Sequence, residues 1–151
     1  MKKQKGFTLI ELLVVIGIIS ALTTVVFVAL DPAKRFKDAR NARRTTDADT
    51  IMGAVHQFIV DTGGSLPVGV GATAAQIGTC PSGGATLCAG ASGTCLDLAT
   101  ILGSNKYIKT NPIDPQTGSA ATTGYSISKD ANNLFTVTAC SAEGTTISIS
   151  R

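Results

Sequence analysis

The feature that most constrains this chain is a long apolar run near its start. Phe7 to Leu30 is 24 residues long and contains one charged side chain, Glu11. As an α-helix this run is about 36 Å long, enough to cross the roughly 30 Å hydrocarbon core of a bilayer with some tilt. The run is longer than the apolar region of a secretory signal peptide, and no small-residue cleavage site follows it. We therefore expect a membrane-spanning helix.

Glu11 distinguishes this run from a plain anchor. A carboxylate inside hydrocarbon costs about 2.5–3.5 kcal/mol on insertion scales, and an anchor gains nothing from it. If the chain is cut after Gly6, the new amino terminus at Phe7 lies one helical turn from Glu11. In a bundle of copies, Glu11 of one copy would reach the Phe7 amine of its neighbour and fix the axial register. A simple anchored exported domain remains the alternative, and it would tolerate loss of Glu11.

Residues 5–22, KGFTLIELLVVIGIISAL, resemble the N-terminal signal of type IV pilins and the related pseudopilins. The resemblance implies that a dedicated prepilin peptidase cuts between Gly6 and Phe7 and that the new amino terminus of Phe7 is methylated. It also implies that Glu11 is needed for assembly. The resemblance covers about 20 of the 151 residues, so the rest of the chain has to be interpreted on its own.

The resemblance also implies a function. We expect a structural subunit, a prepilin of a type IV pilus-like filament, made as a single-pass precursor in the inner (cytoplasmic) membrane and then assembled into an extracellular or periplasmic fibre. Its partners would be other copies, the prepilin peptidase and methyltransferase, and an inner-membrane assembly platform. Two alternatives share the N-terminal features: a pseudopilin of a type II secretion system, and a minor pilin that binds DNA or surfaces.

The charge pattern agrees with a cleaved leader at residues 1–6. Three of the 13 basic residues, Lys2, Lys3 and Lys5, lie in this leader, and removing them leaves 10 basic against 10 acidic side chains. Lysines at this end favour a cytoplasmic N-terminus. The chain has one histidine, too few for a convincing histidine-based catalytic group. We therefore expect no enzymatic activity, no catalytic residue and no cofactor.

We divide the mature chain into the apolar helix at residues 7–30, an amphipathic continuation at 31–62 and a C-terminal globular region at 63–151. Asp31-Pro32 either starts a second helix as N-cap and first position or kinks one long helix, and we expect a hinge there. The predicted apolar face of the second segment has helical spacing; it consists of Ile51, Val55, Phe58 and Ile59.

The second segment also carries a dense basic run, made of Lys34, Arg35, Lys37, Arg40, Arg43 and Arg44. A solvated helix face is the simplest interpretation. The run would alternatively pair with Asp residues of neighbouring copies. In the third interpretation Arg40, Arg43 and Arg44 contact a polyanion, with nucleic acid as the partner.

The globular region predicts a short helix and a small sheet. Asp97 to Leu102 has the pattern of a short helix. Alternating apolar and polar residues predict three antiparallel strands; these start at Tyr125, Phe135 and Ile147. The long helix offers the only large apolar face to cover them. The fold class is therefore α+β, a long N-terminal helix packed on a small three-stranded antiparallel sheet, as in pilins.

The four cysteines all follow the apolar run, at Cys80, Cys88, Cys95 and Cys140. An even number in an exported domain indicates two disulfides, and the spacings do not match paired zinc-ligand motifs. Three connectivities are possible, of which we favour Cys80–Cys88 with Cys95–Cys140.

The segment Pro112-Ile113-Asp114-Pro115 is similar to a loop of secretion pseudopilins near which calcium is sometimes held. Asp114 and Asp130 would supply oxygen ligands, but no spaced run of carboxylates accompanies them. A plain rigid loop is the preferred interpretation, and no metal site is assigned.

Overall fold

The computed structural model describes residues 6–103 and 105–151 and divides the chain into two compact units, Met1–Asp38 and Ala39–Arg151. The predicted leader lysines lie outside the described residues. Two long helices, α1 (Leu9–Leu30) and α2 (Pro32–Asp61), are followed by the short helix α3 (Leu98–Ile101). Four strands complete the fold: β1 (Ala75–Gln76), β2 (Tyr125–Lys129), β3 (Phe135–Ala139) and β4 (Ile147–Ser150).

One residue separates the two long helices. Asp31 has φ 38° in the left-handed region and ends α1. Its side-chain Oδ1 accepts a hydrogen bond from the Lys34 amide at 3.3 Å, and its carbonyl accepts one from the Arg35 amide at 3.2 Å. Because Asp31 caps the following turn and Pro32 occupies the first helical position, α2 begins as a new helix.

The second helix ends where the sequence changes to glycine. Gly63 and Gly64 have φ 67° and 96°, a conformation that glycine adopts without steric cost. The Gly64 amide donates to the Ile59 carbonyl at 2.8 Å, which closes the last turn.

The sheet is antiparallel throughout, with strand order β1-β2-β3-β4. The predicted fold class is confirmed, and the sheet has one more strand than the sequence predicted. The added strand, β1, is only two residues long, Ala75 pairing with Ile127 and Gln76 with Ser126. A segment this short shows no alternation of apolar and polar residues, which is why sequence patterning missed it.

The C-terminal half of α2 packs on one face of the sheet. Ile51 and Val55 are fully buried, while Phe58 and Ile59 are partly buried against the same core. The apolar face of α2 is broader than predicted, because it also includes Ala48, Met52 and Ala54. The sheet contributes alternate residues of its strands; these are Tyr125, Ile127, Phe135, Val137, Ala139 and Ile147.

Candidate processing and assembly site

The first turn of α1 is organised by Thr8 and Glu11. The Thr8 amide and the Thr8 hydroxyl both donate to Glu11 Oε2 at 2.8 Å, and the Glu11 amide donates to Thr8 Oγ1 at 3.3 Å. This is a capping box, in which a Thr at the N-cap and a Glu three residues later satisfy each other's backbone amides. The negative side chain also lies at the positive end of the helix dipole.

The capping box leaves one carboxylate oxygen of Glu11 available. Both hydrogen bonds from Thr8 go to Oε2, and no described residue donates to Oε1. An ionised carboxylate accepts several hydrogen bonds on its two oxygens. Glu11 therefore retains acceptor capacity for a donor from outside the chain.

The peptide bond between Gly6 and Phe7 precedes the first helical turn. Both residues are exposed, Phe7 to 83%. A Cβ placed on Gly6 would meet no described atom within 4 Å. The chain's own packing therefore does not require glycine at this position.

None of the residues of α1 is buried in the chain. Its exposed side chains are almost all apolar, and α1 is the segment of the described chain that is long and apolar enough to cross a membrane. An apolar surface of this extent is stable only against lipid or against other apolar surfaces. The hydroxyls of Thr23 and Thr24 donate to carbonyls one turn earlier, at 2.8 and 3.0 Å, and so add no unpaired donor.

Two arginines of the basic run bind acids of the same chain. Arg44 Nε and Nη2 lie 2.6 and 3.1 Å from the two carboxylate oxygens of Asp114, and its Nη1 lies 3.0 Å from Glu143 Oε2. Arg40 binds the same Glu143 through Nε and Nη2, both at 2.6 Å. Asn41 joins the group, accepting from Arg44 Nη1 at 3.0 Å and from the Glu143 amide at 3.1 Å. We call these five residues the Arg44 network.

The Arg44 network corrects the sequence-based view of the basic run. Arg44 is fully buried, so the prediction that it contacts a polyanion is wrong. Arg40 already has a bidentate carboxylate partner, so it is not free to play that role either. Arg43 is exposed to 62% and lies 3.7 Å from Asp47 one turn later. Arg40 and Arg44 thus bind the globular unit of their own chain and do not form a solvated face.

The network shifts the pKa values of its acids. Burial alone would raise the pKa of Asp114, but the hydrogen bonds from Arg44 and from the Thr117 and Gln116 amides outweigh it and lower the pKa to about 2. The pKa of Glu143 is also lowered to about 2, mainly by the hydrogen bond from Arg40. Both carboxylates are therefore ionised throughout the neutral range.

The same contacts bear on the calcium alternative. Both carboxylate oxygens of Asp114 are occupied by Arg44, and Oδ1 accepts from the Gln116 and Thr117 amides as well, at 2.9 Å each. Asp130 caps the turn between β2 and β3, where its Oδ1 accepts from the Asn132 and Leu134 amides at 2.8 Å each. Within residues 6–103 and 105–151, no three potential metal ligands cluster. Asp114 and Asp130 thus hold the geometry of their loops through these hydrogen bonds.

All four cysteines form disulfides, in a pairing that differs from the favoured one. The bonds are Cys80–Cys95 and Cys88–Cys140. The favoured pairing is wrong because backbone contacts bring residues 80 and 95 together. Gly78 donates to the Leu96 carbonyl at 2.9 Å and Cys95 donates to the Cys80 carbonyl at 3.0 Å.

The described chain combines an exposed apolar N-terminal helix with an α+β unit built on a four-stranded antiparallel sheet. Residues 1–27 match the family model of the prokaryotic N-terminal methylation motif, which is the prepilin signal of type IV pilins and pseudopilins. No curated protein and no solved structure matches the chain.

Sequence reasoning missed two features of these sites. The first is the pairing of Thr8 with Glu11. The sequence does contain a signal for it, because a Thr followed three residues later by Glu before an apolar run is a local capping pattern. The partners of Arg44 lie 70 and 99 residues further along the chain. These contacts are the second missed feature, and no local sequence pattern predicts contacts between residues so far apart in the chain.

Proposed function

We propose that this chain is the precursor of a structural subunit of a type IV pilus-like extracellular filament. The precursor sits in the inner membrane through α1, a prepilin peptidase cuts it after Gly6, and the amine of Phe7 is methylated. The mature subunits then assemble through α1 on an inner-membrane platform. The proposed role is structural and needs neither a catalytic residue nor a cofactor.

The observation that carries the proposal is the position of Glu11. It lies in the first turn of a helix whose apolar surface is exposed over its whole length, and it is the fifth residue after the bond predicted to be cut. Its Oε1 has no donor among the described residues. The Phe7 amine of a neighbouring subunit would supply that donor and the opposite charge, which a carboxylate among packed apolar helices requires.

The glycine at position 6 supports processing by an external enzyme. No described atom lies close enough to exclude a larger side chain there. A peptidase that must approach the Gly6–Phe7 bond closely gives a reason for glycine that the chain itself does not.

Substitution at Gly6 tests the proposal. We expect Gly6→Val to leave the full-length precursor in the membrane and to remove the protein from the sheared surface fraction. The matched control is Gly53→Ala in α2, which also adds a side chain at an exposed position with no described atom within 4 Å and should be processed and assembled normally. Shortened protein and normal fibres from Gly6→Val would contradict the proposal.

A pseudopilin of a type II secretion system is the second candidate, favoured by the similarity of Pro112 to Pro115 to a pseudopilin loop. Asp114 is bound by Arg44 in this structure, so it gives this candidate no added support. A minor pilin that binds DNA keeps only Arg43 of its three proposed contacts. Fibres recovered from the cell surface would favour the pilus, and short fibres confined to the periplasm would favour the pseudopilin.

A further inference from the structure

The outer edge of the sheet at β4 has unpaired backbone groups. β4 is the last strand of the sheet and pairs only with β3. Phe135 and Arg151 exchange both backbone hydrogen bonds, at 2.9 and 3.0 Å. Because hydrogen-bonded and non-hydrogen-bonded pairs alternate in an antiparallel ladder, Ser148 and Ser150 belong to non-hydrogen-bonded pairs. Their N–H and C=O groups therefore point away from β3.

Nothing in the described chain covers this edge. Ser148 and Ser150 are exposed, and no backbone hydrogen bond outside the ladder involves either residue. Edge strands are usually protected against pairing by a lysine, a proline or a bulge. The sequence of β4, Ile-Ser-Ile-Ser, has none of these, and the side chain of the adjacent Arg151 binds Asp49 at 3.1 Å.

We propose that the β4 edge pairs in antiparallel register with the β4 edge of a second copy of this chain, with Ile149 on the two-fold axis. In this register Ser148 of one copy lies opposite Ser150 of the other, and each pair exchanges two backbone hydrogen bonds. Ile149 then lies opposite its own counterpart. It is only partly buried within one copy, so the contact also covers apolar surface.

The pattern of the strand favours a copy of itself as the occupant. The outward-facing donors and acceptors of Ser148 and Ser150 are symmetric about Ile149, so the edge is its own complement. The Arg151 residues of the two copies are offset along the strands by four residues. At 3.4 Å per residue this offset is about 14 Å. Salt largely screens their repulsion at that distance.

A two-fold contact closes on itself and cannot lengthen a filament. If the subunits form the filament proposed above, β4 pairing joins one filament to another side by side. The pairing itself does not depend on that filament and can be measured on the membrane-extracted protein.

Cysteine crosslinking of the full-length protein in detergent micelles tests the register. The four native cysteines are all in disulfides, so Ile149→Cys adds a single free thiol. Residues opposite each other in a non-hydrogen-bonded pair have Cα atoms about 4.5 Å apart, which a disulfide spans. We expect Ile149→Cys to form a covalent dimer at least about tenfold faster than the control Thr136→Cys on β3. In the proposed register the two β4 strands lie between the two copies of Thr136, so their Cα atoms are too far apart for a disulfide.

Second substitutions in the Ile149→Cys protein test the backbone pairing. Ser148→Pro removes an outward N–H without touching the ladder to β3, and Ser148→Lys places like charges across the axis. Both should lower dimer formation to the Thr136→Cys level, whereas Ser148→Ala should leave it unchanged. If the circular dichroism signal shows that Ser148→Pro does not fold, the result for Ser148→Lys alone tests the backbone pairing. The proposal is overturned if Ile149→Cys and Thr136→Cys crosslink at equal rates, or if Ser148→Lys does not reduce dimer formation. It is also overturned if Ile149→Cys in cells forms a covalent adduct with another protein instead of with a second copy.

Discussion

Arg44 and Asp114 form a doubly hydrogen-bonded ion pair in which neither side chain is exposed to solvent. The pair joins α2 to the loop that precedes β2, 70 residues further along the chain. Glu143, from the loop between β3 and β4, binds the same arginine at 3.0 Å. One guanidinium thus fixes two loops of the globular unit against its helix.

Loss of Arg44 should destabilise the globular unit strongly. Arg44→Met leaves the Asp114 carboxylate buried without its cation, and removal of one partner from a buried pair costs about 3–5 kcal/mol. The free energy of unfolding can be measured by denaturant titration of the full-length protein in micelles, followed by circular dichroism. Arg43→Met is the matched control, because Arg43 is exposed to 62%; we expect it to change the free energy by at most about 0.5 kcal/mol.

A double substitution separates charge from packing. In Arg44→Met combined with Asp114→Asn the carboxylate charge is gone while Oδ1 can still accept from the Gln116 and Thr117 amides, so part of the lost stability should return. A double variant that is no more stable than Arg44→Met would show that the cost does not come from the unpaired carboxylate.

The globular unit should lose stability in acid over a defined range. The folded state lowers the pKa of Asp114 from 3.8 to about 2, so ionised Asp114 stabilises the fold at all pH values above the unfolded pKa. That contribution is lost as the pH falls from about 4 to about 2, because the unfolded chain takes up the proton first. Asp114→Asn should flatten this part of the pH profile, and an unchanged acid slope would contradict the assignment.

The two disulfides should contribute unequally. Cys88–Cys140 closes a separation of 52 residues and Cys80–Cys95 one of 15. Loop-closure entropy then gives about 4 and about 3 kcal/mol respectively. Paired Cys→Ala substitutions at 88 and 140 should therefore lower the free energy of unfolding more than those at 80 and 95. Mass mapping of the unreduced protein checks the pairing directly, and a peptide linking Cys80 to Cys88 would contradict it.

Glu11→Gln separates the capping role of Glu11 from its charge. Glutamine accepts the same capping hydrogen bonds from Thr8, so helix content and cleavage after Gly6 should persist. The charge-assisted bond to a neighbouring Phe7 amine is lost, at about 1.5–3 kcal/mol per contact, which is about tenfold or more in each association step.

Filament yield in the sheared fraction is the measurement for this variant. It should fall for Glu11→Gln as far as it does for Glu11→Ala. Asp38→Asn, which neutralises an exposed carboxylate outside α1, is the control and should assemble normally. Normal yield from Glu11→Gln would mean that assembly does not use the charge.

The sequence predicted the parts of the fold that local patterns encode. Helical spacing identified Ile51 and Val55 as core residues, and alternation located β2, β3 and β4. Asp31 and Pro32 marked the end of the apolar segment but left open whether a new helix starts there, because a helix start and a proline kink share this pattern.

Long-range contacts were not predictable in the same way. Arg44 belongs to a run of six basic residues that looks solvent-exposed, and only Asp114 and Glu143 in the folded chain make its burial favourable. The parallel bridge between Ile77 and Leu96 brings the segments of Cys80 and Cys95 together, and no sequence pattern marks it. By contrast, Gly6, Phe7 and Glu11 could be proposed together as a motif because they lie within six residues of one another.

Mass spectrometry of the N-terminal peptide from sheared surface fibres tests the account most directly. We predict a peptide that begins at Phe7 and carries one methyl group on its amine, with Glu11 unmodified. Fibres whose subunits still begin at Met1, or begin at any residue other than Phe7, would contradict the account.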